Sequence, residues 1–119
     1  MIVYGIKNCD TVKKARAFLD AAGVAYRFHD YKKDGVDPEV LRQVTETFGW
    51  EQVLNRRGTT WRKLPEEEQA GVRDAASALA LMLAQPSVIK RPIVVAARRT
   101  LLGFDPVSWE TALEMGEFA

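Results

Sequence analysis

The stretch "MIVYGIKNCDTVKKARAFLDAAGVAYRFHDY", residues 1–31, changes its apolar period twice, and those changes decide the fold class. Residues 1–5 form a β-branched and aromatic run stopped by Gly5, the pattern of a short buried strand. From Asp10 onward, Val12, Ala15, Phe18, Leu19 and Ala22 share one helical face, and Gly23 is placed to end the helix. Residues 24–31 then alternate Val24, Tyr26 and Phe28 with small or polar neighbours, which predicts a second strand. A strand, a helix and a strand in this order open an α/β chain.

Outward from that unit the pattern becomes helical. Asp37 and Pro38 supply an N-cap and a first-turn proline for a helix whose apolar face is Val40, Leu41, Val44 and Phe48, with Gly49 as its stop. "WEQVLN" reads as a short helix. "LPEEEQAGVRD" places three glutamates where a helix N-terminus favours negative charge, and "AASALALMLAQ" continues it as an apolar helix ended by Pro86. Residues 36–86 are thus expected to be a helical insert. Beyond it, "RPIVVAA" and "TLLGF" read as two strands separated by an arginine pair, and Asp105 with Pro106 starts a final helix that Gly116 ends. The expected order is βαβ, helical insert, ββα, within one domain over residues 1–119.

With one cysteine, an internal disulfide is excluded, and with His29 as the sole histidine a metal site is not expected. Seventeen basic and sixteen acidic residues leave a net charge of +1, so the overall field argues for neither nucleic acid nor an anionic membrane as partner. The longest apolar run, "AASALALMLA", falls far short of the roughly 20 residues a spanning helix needs. The start of the chain lacks the regions of a signal peptide. A soluble, cytoplasmic setting with reduced thiols is the expectation.

Free cysteines are usually buried, yet Cys9 stands between Asn8 and Asp10. It falls in the loop between the first strand and the first helix, at the positive end of that helix, where unpaired N–H groups favour the thiolate. Lys7, Lys13 and Lys14 add positive charge and Asp10 opposes it. The same position also suits an inert loop thiol. Val12 stands where a second cysteine would complete C-x-x-C, so no dithiol cycle can run within the chain. Asn8 and Thr11 flank the thiol as candidate anion-binding residues. Arg62, Lys63, Arg98 and Arg99 read as solvated surface, and His29 as structural or exposed. Arg91 differs from them, because it stands beside Pro92 at the start of an apolar strand where the sheet fixes its place. Arg56 and Arg57 are further candidates for binding an anion.

Three separated motifs, "YGIKNCDTVKKA", "LNRRGTTWRKL" and "IKRPIVV", occur in an order that resembles the arsenate reductase (ArsC) and Spx family, most closely its YffB-like branch. The resemblance implies a thioredoxin-like fold with a mixed four-stranded sheet and a helical insertion. It implies Cys9 as the reactive thiol and a cis peptide bond before Pro92. That branch looks like glutathione-dependent thiol reductases, so the implied co-substrate is glutathione or another small thiol. Arsenate reductases hold their oxyanion with three arginines. Arg91 matches the second, Asn55 stands at the first with Arg56 and Arg57 as neighbours, and Phe104 stands at the third. Spx-type members are regulators that bind RNA polymerase, so a protein-binding role and arsenate reduction are the alternatives to a thiol reductase.

Overall fold

The computed structural model describes residues 1–118, which separate into two compact units: Met1–Asp34 with the segment from Arg91 onward, and Gly35–Lys90. In chain order the elements are β1 (Ile2–Gly5), α1 (Asp10–Ala21), β2 (Arg27–Asp30), α2 (Tyr31–Asp34), α3 (Pro38–Phe48), α4 (Trp50–Val53), α5 (Thr59–Lys63), α6 (Glu66–Ala70), α7 (Ala75–Ala84), a 3₁₀ turn (Pro86–Val88), β3 (Ile93–Val95), β4 (Thr100–Leu102) and α8 (Pro106–Glu114).

The first unit holds a mixed four-stranded sheet in the order β2-β1-β3-β4. β1 runs parallel to β2 and antiparallel to β3, and β3 and β4 form an antiparallel hairpin. Val3, Val94 and Leu101 lie opposite one another across β1, β3 and β4, so the period of two turns them to one face. Ala15 and Leu19 from α1 and Trp109 and Ala112 from α8 join that face in one buried core, which Phe118 also enters. Each large apolar side chain buried there contributes roughly 1.5–3 kcal/mol. The indole N–H of Trp109 donates to the Gly103 carbonyl at 3.1 Å, so its one polar atom is satisfied inside the core.

The second strand is shorter than its alternating pattern suggests, because residues 22–24 are used to end α1. The Gly23 N–H donates to Asp20 and the Val24 N–H to Leu19, closing the left-handed cap in which Gly23 has φ 71°. Pairing with β1 begins only at Arg27. Val24, Tyr26 and Phe28 still pack against the core, as their alternation implied. Tyr31 does not extend the strand. It begins the one-turn helix α2, where the Asp30 carboxylate accepts from the Lys32 N–H and the Asp34 carboxylate accepts from the Asp30 N–H.

In the second unit, the Asp37 carboxylate caps α3 by accepting from the Glu39 and Val40 N–H groups. The expected single helix through residues 65–85 is two helices. Gly71 ends α6, and Asp74 restarts the chain as α7 with a capping box in which Asp74 and Ser77 satisfy each other's backbone N–H groups. α5 occupies part of the "LNRRGTTWRKL" segment, for which no element was expected. An isolated antiparallel bridge, Leu54 with Ile89, ties the segment after α4 to the end of the unit.

Candidate active site around Cys9

The site is built where β1 hands over to α1. Gly5 ends the strand, Ile6 is buried, and Lys7 and Asn8 form an exposed turn. Cys9 is the N-cap residue of α1, with extended backbone (φ −115°, ψ 124°). Its carbonyl accepts the first helical hydrogen bond, from the Lys13 N–H at 2.9 Å. The approach is close because residue 5 lacks a side chain: a Cβ there would stand 2.9 Å from Val12 Cγ2 and 3.4 Å from Cγ1. Val12 is fully buried, so the position of a second cysteine is occupied by a core residue.

Arg91 approaches from the other side. Its peptide bond to Pro92 is cis, and Pro92 is buried with its carbonyl accepting from the Gly103 N–H at 2.7 Å. β3 then begins with Ile93 opposite Tyr4. Because β3 is antiparallel to β1, the start of β3 and the end of β1 share one end of the sheet, and Arg91 faces the Cys9 loop.

Burial pushes the Cys9 thiol up, but the Val12 N–H, the Arg91 guanidinium and the Thr11 N–H outweigh it, and the net shift is downward. The two N–H groups favour the ionised sulfur from the open end of α1 without reaching capping geometry. Arg91 acts both by hydrogen bonding and by charge. Lys7, Lys13 and Lys14, offered by the sequence as positive neighbours, are exposed and are not among these causes; the working charge is Arg91.

Cys9, Thr11, Arg91 and Pro92 therefore meet at one place, with Asn8 exposed in the adjoining turn. Thr11 takes part through its backbone. Arg56 and Arg57 belong to the second unit. There the guanidinium of Arg56 lies 5.2 Å from the Trp50 ring and 6.0 Å from the Trp61 ring, a cation–π position, and the Arg57 N–H donates to the Asn55 side chain at 3.1 Å. Among the surface arginines, Arg99 makes two 2.9 Å hydrogen bonds to Glu117.

One residue of this neighbourhood escaped the sequence reading. Tyr31 is buried, and its hydroxyl is pushed up by burial first and by Tyr4 next, with Arg91 acting in the opposite direction. The available signal was positional: the residue after the second strand of a βαβ unit emerges beside the loop that follows the first.

A family model described as the ArsC family matches residues 4–112. The chain belongs to the ArsC family. An uncharacterised protein of Haemophilus influenzae is 42% identical over 110 residues, covering 92% of this chain and 96% of its own. The global transcriptional regulator Spx of Streptococcus agalactiae is 29% identical over 101 residues, covering 82% of this chain and 72% of that protein. Among solved structures, the YFFB protein is 55% identical, with a TM-score of 0.89 and coverage of 94% of this chain and 97% of that one. An arsenate reductase (ArsC) related protein from Brucella melitensis is 53% identical, with a TM-score of 0.73 and coverage of 95% and 93%. Like these relatives, this ArsC-family chain has the mixed α/β sheet that its motifs implied. No helix among the described residues is long and apolar enough to cross a membrane.

Proposed function

We propose that this ArsC-family protein is a thiol reductase that works with a single cysteine and is regenerated by an external thiol of the glutathione type. The observation that carries the reading is the Arg91 guanidinium beside the Cys9 thiol, at a helix N-terminus that favours the ionised sulfur. The thiolate of Cys9 attacks the glutathione sulfur of an oxidised substrate that carries glutathione in disulfide linkage. The old S–S bond breaks, a new one forms to Cys9, and the substrate sulfur leaves as a thiolate that takes a proton. A second glutathione thiolate then attacks the sulfur now bound to Cys9, releasing oxidised glutathione and restoring the Cys9 thiolate. Each cycle reduces one substrate sulfur to a thiol and oxidises one glutathione thiol, which leaves as oxidised glutathione joined to the glutathione taken from the substrate. The chain has no second cysteine to resolve the intermediate, so the resolving thiol comes from outside. Arg91 holds a glutathione carboxylate in both steps, and its planar fork suits that group.

The test is turnover of the mixed disulfide of glutathione and 2-mercaptoethanol with reduced glutathione as the reductant. Turnover above the uncatalysed exchange, lost in Cys9→Ser, is the expected result; a rate equal to the uncatalysed exchange refutes the reading. Arsenate reduction is the weaker alternative on physical grounds. Phe104, at the third arginine position of arsenate reductases, packs its ring 4.9 Å from Trp109 and 5.9 Å from Phe18 and offers an oxyanion nothing. The likeness to Spx favours a second reading, a regulator that binds RNA polymerase, which would show as binding to the polymerase without thiol turnover.

A further inference from the structure

We infer that Tyr31 is a substrate-binding residue of the Cys9 site, its hydroxyl donating a hydrogen bond to the same carboxylate that Arg91 holds. The inference rests on the proposed function, in which Cys9 is the nucleophile and Arg91 the anion holder.

The placement follows from the sheet. β1 and β2 are parallel with Gly5 opposite Asp30, so the chain leaves both strands at the same end. From that end β1 leads to Cys9 and β2 leads directly to Tyr31. β3 enters there, with Tyr4 opposite Ile93, and Arg91 just before it. Three segments distant in sequence thus deliver a thiol, a guanidinium and a phenol to one sheet end. The phenol is held in a fixed orientation. Its ring lies 6.2 Å from the Tyr4 ring at an interplanar angle of 23° and 6.1 Å from the His29 ring edge-on, while His29 and Tyr4 are themselves 4.9 Å apart. The backbone beneath it is fixed by the Asp30 and Asp34 carboxylates that close α2.

Arg91 acts electrostatically on both the Cys9 thiol and the Tyr31 hydroxyl, which fits the placement of all three at this end of the sheet. A phenol O–H that reaches a carboxylate held by a guanidinium adds a second, charge-assisted donor to the same anion. Burial keeps this hydroxyl protonated through and beyond neutral pH, so it remains a donor whenever the thiolate is present. The ligand class is a carboxylate attached to a thiol or disulfide, presented so that its sulfur reaches Cys9.

The experiment compares alkylation of Cys9 by iodoacetate, which carries a carboxylate, with alkylation by neutral iodoacetamide at the same pH. In both, the thiolate displaces iodide. The rate ratio, normalised to that of the urea-unfolded chain, reads anion preference without requiring enzymatic turnover. The folded wild type is expected to prefer iodoacetate, and Arg91→Ala to abolish the preference. Tyr31→Phe is expected to lower it roughly 10- to 150-fold, the range for one charge-assisted hydrogen bond, with the iodoacetamide rate unchanged. Tyr4→Phe, which removes the neighbouring hydroxyl, is expected to keep it. If Tyr31→Phe is unfolded by circular dichroism, Tyr31→Leu is read in its place. A preference that falls less than twofold in the folded variant overturns the Tyr31 assignment alone. An equal fall for both reagents also overturns it, since that marks a structural role. A wild type without preference, unaltered by Arg91→Ala, overturns the anion-holding role of Arg91 as well.

Discussion

At Cys9 the deciding quantity is which positive charge lies close, and that charge is Arg91. Arg91→Ala removes two of the influences that lower the thiol and leaves its burial in place, so the Cys9 pKa is expected to rise. Lys13→Ala is expected to leave it where it is, because exposed ammonium groups are screened and Lys13 is not among the causes. The pH profile of iodoacetamide alkylation measures both; a rise in the lysine variant and none in the arginine variant would reverse the assignment. The linked stability has a definite sign. A thiol whose folded pKa lies below its unfolded value stabilises the fold above the unfolded pKa, and that contribution is lost as pH falls through the folded value. Cys9→Ser is therefore expected to flatten the alkaline limb of urea stability against pH. Cys9 and Arg91 were legible in the sequence because local rules place them: a residue before a helix, and a residue before a strand-opening proline. Tyr31 was not, since the alternation of residues 24–31 reads as strand through it, and its place beside the Cys9 loop follows only from combining the βαβ order with the parallel pairing of β2 on β1.

The elements carry the site through a few tight contacts, and the tightest is Gly5 against Val12. Val12 is β-branched and fully buried, so it cannot swing aside for a new methyl group. Gly5→Ala is expected to cost about 1–3 kcal/mol by overpacking. It also displaces the first turn of α1, whose Val12 N–H favours the Cys9 thiolate, so the thiol pKa is expected to rise with it. Adding Val12→Ala should return most of both effects; a thiol pKa unchanged in Gly5→Ala would separate the packing from the site. In the second unit, Asp74→Ala removes the cap of α7 and is expected to cost about 0.5–2 kcal/mol in urea unfolding. The start of α7 is hard to read in "AGVRD" because the segment carries no proline. Gly71 and Asp74 mark the break only when read together, one as a stop and the other as a start. The ends of α1 and α8, by contrast, were legible in Gly23 and Gly116, each in the left-handed conformation that glycine adopts most easily.

At the scale of the whole molecule, the order βαβ, helical insert, ββα was readable because each change of period coincides with a glycine or proline. The described residues divide into a sheet-bearing unit and a helical unit, Gly35–Lys90. What periodicity could not supply is the strand order, which depends on contacts across the insert. That order, with β3 beside β1, is what brings Arg91 to Cys9. Arg99 serves as the internal control. It is paired with Glu117 on the surface, where such a pair contributes about 0.2–1 kcal/mol, so Arg99→Ala should alter stability little and the site not at all. The central claim, that the fold makes Cys9 a thiolate poised for glutathione and held by Arg91, is tested most directly by mass spectrometry of the chain incubated with oxidised glutathione. The expected result is a single glutathione adduct at Cys9, formed faster in the folded than in the unfolded chain, removed by reduced glutathione, slowed in Arg91→Ala and unaffected in Arg99→Ala. An adduct that forms no faster in the folded chain, or one that Arg91→Ala leaves at the wild-type rate, would contradict it.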